Sequence, residues 1–248
     1  MDHEIRNRPA FAAVDIELNQ GESIMAEAGA MVSHTDGIDI RTDRGGGGLL
    51  QNLKRSILGG ESFFRNTFTA DRPGTVTFAP PLPGDVVQYD LDGTVYLQSG
   101  SYLAASPEVD VDTKFGGGRT FFGGEGLFLL KCSGRGPVFM SSYGAVEKKE
   151  LRAGERFTVD TGHIVAFEDG VTWDVRKVGG LKSTLFSGEG LVCDMEGPGT
   201  VWVQSRSPDA FVSWLVPHLP TRETGNGGVS FEMGGNNFGG GGGRGGNV

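Results

Sequence analysis

The 248-residue sequence is poor in the residues that most often mark catalytic and metal sites. It has two cysteines, Cys132 and Cys193, in no CxxC and no zinc-type spacing. Two thiols cannot frame a disulfide-stapled fold in a chain this long, and the plain expectation is two small buried side chains. The four histidines, His3, His34, His163 and His218, form no HxH pair, so no metal ligand cluster is expected. No run of 18 apolar residues occurs, so no transmembrane helix is expected. Met1-Asp2-His3-Glu4-Ile5-Arg6 has no apolar h-region, which makes the cytoplasm the expected location. Basic residues are in deficit: 22 Lys and Arg against 31 Asp and Glu leave a net charge of −9. That balance argues against a general nucleic-acid partner, which needs a basic face. There is no GxSxG elbow, and neither Gly45–Gly48 nor Gly116–Gly118 ends in the GK[ST] of a phosphate loop. The sequence therefore predicts no catalytic set, no cofactor and no enzyme.

Glycine, by contrast, is abundant. The chain has 43, more than twice the roughly 7% usual share. The tail, residues 225–248, holds 12 of them and reads as disordered. The other 31 lie in the body. Glycine costs a helix interior about 1 kcal/mol against alanine, so a mostly helical fold is unfavourable, and many tight turns between short strands are expected.

Those turns recur. Gly-Glu steps begin at residues 60, 124 and 188, in Gly59-Gly60-Glu61, Gly123-Gly124-Glu125 and Ser187-Gly188-Glu189, so the period is 64 residues. Each step leads through a strand-like stretch to a Pro/Gly turn: Pro73-Gly74, Gly136-Pro137 and Pro198-Gly199. Upstream, Gly21, Gly93 and Gly154 precede Gly29-Ala30-Met31-Val32, Gly100-Ser101-Tyr102-Leu103 and Gly162-His163-Ile164-Val165. Alternating stretches follow at Ile38-Asp39-Ile40, Val109–Asp112 and Val171–Val175. The prediction is an all-β domain over residues 9–207, built as a threefold internal repeat with units near 9–80, 86–144 and 146–207. Each unit is too small for a large core of its own, so the three should share one around a pseudo-threefold axis. Residues 208–224 follow as an extension that opens with a short helix, since Pro208 or Asp209 suits a helix start.

The steps "GGESFF", "GGEG" and "SGEG", with "FFGGEGLFLLKCSGRGPVFMSSYGAV" and "LVCDMEGPGTVWVQSRS", resemble the altered-inheritance-of-mitochondria protein twenty-four family from about Phe11 to about Leu219. The resemblance implies a threefold duplication of a unit like the tryptophan RNA-binding attenuation protein, a small β-sandwich or double-stranded β-helix. It implies no assigned chemistry for prokaryotic members. The attenuation protein's RNA binding does not carry over, because this acidic chain repeats no basic position of the kind that activity uses.

Two sets of residues stand out as candidate sites. Glu61, Glu125 and Glu189 hold the same place in each unit. They either converge near the pseudo-axis, as a cation or partner site, or each accepts backbone N–H groups from its own Gly turn. Leu50, Lys54 and Arg55, then Phe121 and Phe122, then Lys182 lie in three Gly-flanked segments that mix basic and bulky apolar side chains. Such segments either cap the end of the sandwich or dock on another protein or an anionic membrane surface. The favoured expectation is a homo-oligomeric scaffold. A peripheral organiser at the inner face of the membrane is the alternative, and a small-ligand-binding β-helix the second alternative.

Overall fold

Period-two alternation dominates the computed structural model, which describes residues 1–42, 65–112, 127–178 and 191–219. Along β2 (Ala13–Leu18), Val14, Ile16 and Leu18 are buried while Asp15 and Glu17 point away from the core. Each of these three apolar side chains contributes about 1.5–3 kcal/mol through burial. The same pattern shapes β10 (Val109–Asp112), where Val109 and Val111 are buried and both aspartates exposed.

The other described strands are β1 (Asp2–Arg6), β3 (Ser23–Glu27), β4 (Met31–His34), β5 (Ile38–Thr42), β6 (Arg65–Ala70), β7 (Gly74–Phe78), β8 (Val86–Gln98) and β9 (Tyr102–Ala105). After β10 come β11 (Leu129–Ser141), β12 (Val146–Leu151), β13 (Arg156–Asp160), β14 (Ile164–Glu168), β15 (Thr172–Lys177), β16 (Leu191–Glu196) and β17 (Gly199–Gln204). Helix α1 (Pro208–Leu215) follows. Ser207 Oγ accepts the Ala210 N–H at 3.3 Å, and Pro208 and Asp209 open the first turn, so the helix start carries the chemistry that helix starts favour.

The strand pairing can be followed through three successive stretches of the chain. In the first stretch β7 lies between β2 and β4, and β6 between β3 and β5. In the second, the latter half of β11 lies between the first half of β8 and β9. Its first half lies between the latter half of β8 and β10. In the third, β17 lies between β12 and β14, and β16 between β13 and β15. Neighbouring stretches join where a second strand meets the next third strand: β3 pairs with β9, and the latter half of β8 pairs with β14. The described strands form a ten-stranded sheet, a four-stranded one (β1-β2-β7-β4) and a three-stranded one (β13-β16-β15), with strands of the smaller sheets interleaved in sequence with those of the large one.

The 13-residue strands β8 and β11 both lie in the ten-stranded sheet and pair along their whole length, through a glycine pair near the middle. Gly93 pairs with Gly134, with φ of 131° and 132°. At Gly134 a Cβ would press into the Glu108 carbonyl oxygen, so the chain there needs both the backbone angle and the missing side chain.

Three apolar clusters form the core, and the third strands are shared between them. Leu103 and Ala104 of β9 pack with β2, β3, β6 and β7, whereas Tyr102 and Ala105 pack with β8, β10 and β11. Likewise Val165 and Ala166 of β14 join the second cluster, and Ile164 and Phe167 the third. Polar contacts reinforce these junctions. Tyr89 Oη donates to Glu168 at 3.1 Å and Tyr96 Oη to Asp169 at 2.6 Å. Near the first junction, Arg8 grips buried Asp85 through Nε at 2.8 Å and a second nitrogen at 2.9 Å.

The described residues up to Phe211 form one unit and those from Val212 to Leu219 belong to a second. In the first, Phe211 meets Tyr143 edge-on with ring centroids 5.8 Å apart. In the second, His218 stacks on Trp214 at 4.9 Å, and its Nδ1 lies 2.6 Å from the Trp214 carbonyl oxygen.

Candidate functional site

Glu61, Glu125 and Glu189 lie outside the described residues, as do Leu50, Lys54, Arg55, Phe121, Phe122 and Lys182. The Gly-rich tail, 225–248, lies outside them too. The described strands present other chemistry.

Both cysteines are free and buried. Burial pushes the Cys132 and Cys193 thiols up to about 12, so neither supplies a thiolate at neutral pH. The histidines hold backbone or ring contacts. His34 Nδ1 lies 2.7 Å from the Thr35 carbonyl oxygen and His163 Nδ1 2.7 Å from that of Gln204. His3 meets Phe139 edge-on at 5.1 Å. Among the described residues, no three His, Cys, Asp or Glu side chains gather as a metal set. No helix among them is long and apolar enough to cross a membrane.

An open groove of about 440 Å³ runs over the β13–β16–β15 sheet, lined in part by Arg156, Thr158, Trp173, Asp194 and Glu196. Several of its charged side chains are paired. Arg156 Nε donates to Glu196 at 3.0 Å, Thr158 Oγ1 to Asp194 at 2.6 Å, and Arg176 to Asp194 at 2.5 Å. The Arg176 hydrogen bond, followed by that of Thr158, holds the Asp194 carboxyl below its ordinary range. Acid–base work near neutral pH needs a carboxyl shifted the other way.

The more informative feature is the asymmetry between equivalent strands. In β9 and β14, Leu103 and Val165 are 0% exposed. The same position in β4 is Val32, which is 60% exposed. All four residues of β4 are exposed, whereas all four of β9 are buried. The cause is topological. β9 is covered by β3 and β14 by the latter half of β8, whereas among the described residues no strand pairs with the outer edge of β4. Among the described residues β4 ends one sheet, while β13, the last second strand, ends another. Both carry backbone groups free to pair. The repeat pattern contained the signal. Ser33-His34 stands where Ala104-Ala105 and Ala166-Phe167 stand, and Thr158 where Met25 and Tyr96 stand. Polar residues replace apolar ones at these two edges.

The family profile described as Mitochondrial biogenesis AIM24 matches residues 3–206. An uncharacterised protein of Streptococcus pyogenes serotype M6 is 31% identical over 219 residues, which is 85% of this chain and 88% of that one. The crystal structure of a Streptococcus pyogenes protein superposes with a TM-score of 0.74 at 28% identity, covering 88% of this chain and 99% of that one. The all-β architecture is thus shared with a solved relative, and with residues 3–206 matched the chain belongs to the Mitochondrial biogenesis AIM24 family.

Proposed function

We propose that the protein is a non-enzymatic β scaffold that associates with copies of itself, its three stretches forming a pseudo-threefold array. The observation that carries this reading is the exposure of Val32 and Met31 on β4, in positions that are buried on β9 and β14. An apolar, unpaired edge is a hazard in a monomer and a ready contact in an assembly. Two free, buried thiols suit a reducing compartment, and the cytoplasm is the proposed location. Light scattering of the full chain from about 1 to 200 μM tests the reading, a range that brackets the mid-micromolar affinities of reversible contacts. A rise in mass with concentration is expected, and a constant monomer mass overturns it.

A second reading is peripheral contact with an anionic membrane. Val212 (53%) and Trp214 (60%) are exposed at the end of α1, with Val216 in the turn after it, and apolar and aromatic side chains of this kind insert at lipid interfaces. Co-sedimentation with vesicles rich in phosphatidylserine is expected if this reading holds. Pelleting that is unchanged by Trp214→Ala and by charge reversal at Lys54, Arg55 and Lys182 refutes it.

A further inference from the structure

The two uncovered edges are complementary to one another, and the chain itself supplies the template for joining them. We infer that β13 of one copy pairs with β4 of a second copy, antiparallel, with Thr158 opposite His34. This inference rests on the self-association reading above and specifies its interface.

The register comes from the two junctions inside the chain. Glu27, Gln98 and Asp160 each precede the same short step: Ala28-Gly29, Ser99-Gly100 and Thr161-Gly162. Gln98 and Asp160 both accept the N–H of the glycine two residues on, at 2.8 Å. The alignment of second and third strands is therefore fixed. In it Met25, Tyr96 and Thr158 are equivalent, and so are Ala105, Phe167 and His34. At the first junction Met25 lies opposite Ala105 and Ala26 opposite Ala104. At the second, Tyr96 lies opposite Phe167 and Leu97 opposite Ala166. The two registers are identical in repeat coordinates. Extending them to the free edges places Thr158 opposite His34, Val159 opposite Ser33 and Phe157 opposite Thr35. A slip of one residue would turn every side chain to the wrong face.

Charge supports the same register. One step further along, Arg156 falls opposite Asp36; both are exposed and paired within the chain, Asp36 with Arg72 and Arg156 with Glu196, so their approach brings two surface ion pairs of opposite polarity side by side. The equivalent of Asp36 at the second junction is Asp169, and there it already accepts the Tyr96 hydroxyl across the junction at 2.6 Å. A carboxylate just beyond the third strand thus reaches back to the preceding second strand at the second junction, whereas Pro107 holds that place at the first. The free edge of β12 differs. It carries Glu147, Lys148, Lys149 and Glu150, the charged pattern that keeps an edge solitary. Because β4 and β13 are different surfaces, the contact is heterologous, and copies add head to tail into a ring or a filament.

Cysteine pairing tests the register. His34→Cys and Thr158→Cys proteins are purified separately, mixed at about 100 μM, within the range where reversible contacts are populated, and oxidised mildly. Directly opposite residues stand about 4.5–5.5 Å apart at Cβ, whereas diagonal ones are about 7–8 Å apart. The expected result is a disulfide-linked heterodimer from the mixture, with at least tenfold less from His34→Cys mixed with Asp160→Cys. Native Cys132 and Cys193 are buried and give little background. In a second arm, Val32→Asp places a carboxylate opposite Asp160 and is expected to weaken association at least tenfold, with an unchanged far-UV spectrum. An oligomer by light scattering that gives no His34–Thr158 cross-link overturns this interface and leaves the scaffold reading standing. A monomer at every concentration overturns both. A His34→Cys/Thr158→Cys double variant that closes as an internal disulfide within one chain also overturns the interface.

Discussion

Val32 and Val165 allow one substitution to be made twice in equivalent places. Val165 is fully buried in the second core cluster, and Val32 is 60% exposed on β4. Val→Ala removes two methyl-sized groups, about 1.6 kcal/mol of transfer free energy at a fully buried site. The cavity left in a packed core raises the cost at Val165 to about 2–3 kcal/mol. At Val32 less than half of the side chain leaves water on folding, so the cost is about 0.6 kcal/mol. For a domain of this size, about 2–4 °C of melting temperature accompanies each kcal/mol. Val165→Ala should therefore melt about 4–12 °C below wild type, and Val32→Ala only about 1–2 °C below. Urea unfolding at low micromolar concentration, where the monomer dominates, measures the pair. Equal costs for the two would refute the reasoning, because Val32 would then be covered within a single chain. Repeating the measurement at high concentration should enlarge the Val32→Ala deficit, as association stabilises the wild type.

Gly134→Ala should destabilise more than Gly93→Ala by at least about 1 kcal/mol in urea titrations. Both break a positive φ, but a Cβ at Gly93 meets nothing within 4 Å whereas one at Gly134 meets the Glu108 carbonyl. Cys132 and Cys193, with thiols pushed up to about 12 by burial, should resist an aromatic disulfide reagent at pH 8 and react fully in urea. The Arg6 hydrogen bond, followed by that of Thr77, holds the Asp15 carboxyl below its ordinary range. Its folded pKa lies under its unfolded one, so its contribution is present above pH about 4 and lost as pH falls through the folded value. Asp15→Asn should therefore flatten the stability curve below pH 4, and an unchanged acid limb would contradict that assignment.

Much of the fold was legible because core-facing positions alternate visibly. Val14, Ile16 and Leu18 announce a half-buried strand, and Val109-Asp110-Val111-Asp112 does the same. β1 was not legible. Asp2-His3-Glu4-Ile5-Arg6 has one half-buried residue and four exposed ones, and it is a strand because β2 offers an edge to pair with. The Arg6–Asp15 ion pair across that contact, at 2.6 Å, ties it down. The candidate site was less legible still. Met31-Val32 and Ile164-Val165 read alike as sequence, and their difference lies in what runs beside them. Exposure of this kind follows from which strands run alongside and is carried by no local motif. Only the polar replacements at Ser33, His34 and Thr158 hint at it, and they become readable once strand pairing fixes the alignment. The glutamates and basic-apolar segments that composition singled out lie outside the described residues. The interface argued here therefore rests on residues with no chemical signature of their own.

The polar replacements also set how tightly the edges can bind. Inside the chain, a junction forms between tethered strands and uses Tyr96 against Phe167 with ring centroids 5.3 Å apart. Between copies, the same junction must first exist as two edges in water, where an aromatic pair would invite indiscriminate pairing. Threonine and histidine lower that hazard, and they also remove most of the apolar burial and the hydroxyl-to-carboxylate bond that Tyr96 makes to Asp169. Association should accordingly be reversible, and restoring the internal chemistry should strengthen it. In Thr158→Tyr the new hydroxyl would face Asp36 as Tyr96 faces Asp169. A hydrogen bond to a charged group contributes about 1.5–3 kcal/mol, so association should tighten at least about tenfold. Adding Asp36→Asn should remove most of that gain while leaving any nonspecific effect of the ring in place. Sedimentation velocity on the two variants separates these outcomes. A Thr158→Tyr protein with wild-type association, or a gain indifferent to Asp36, would mean that β13 meets something other than β4.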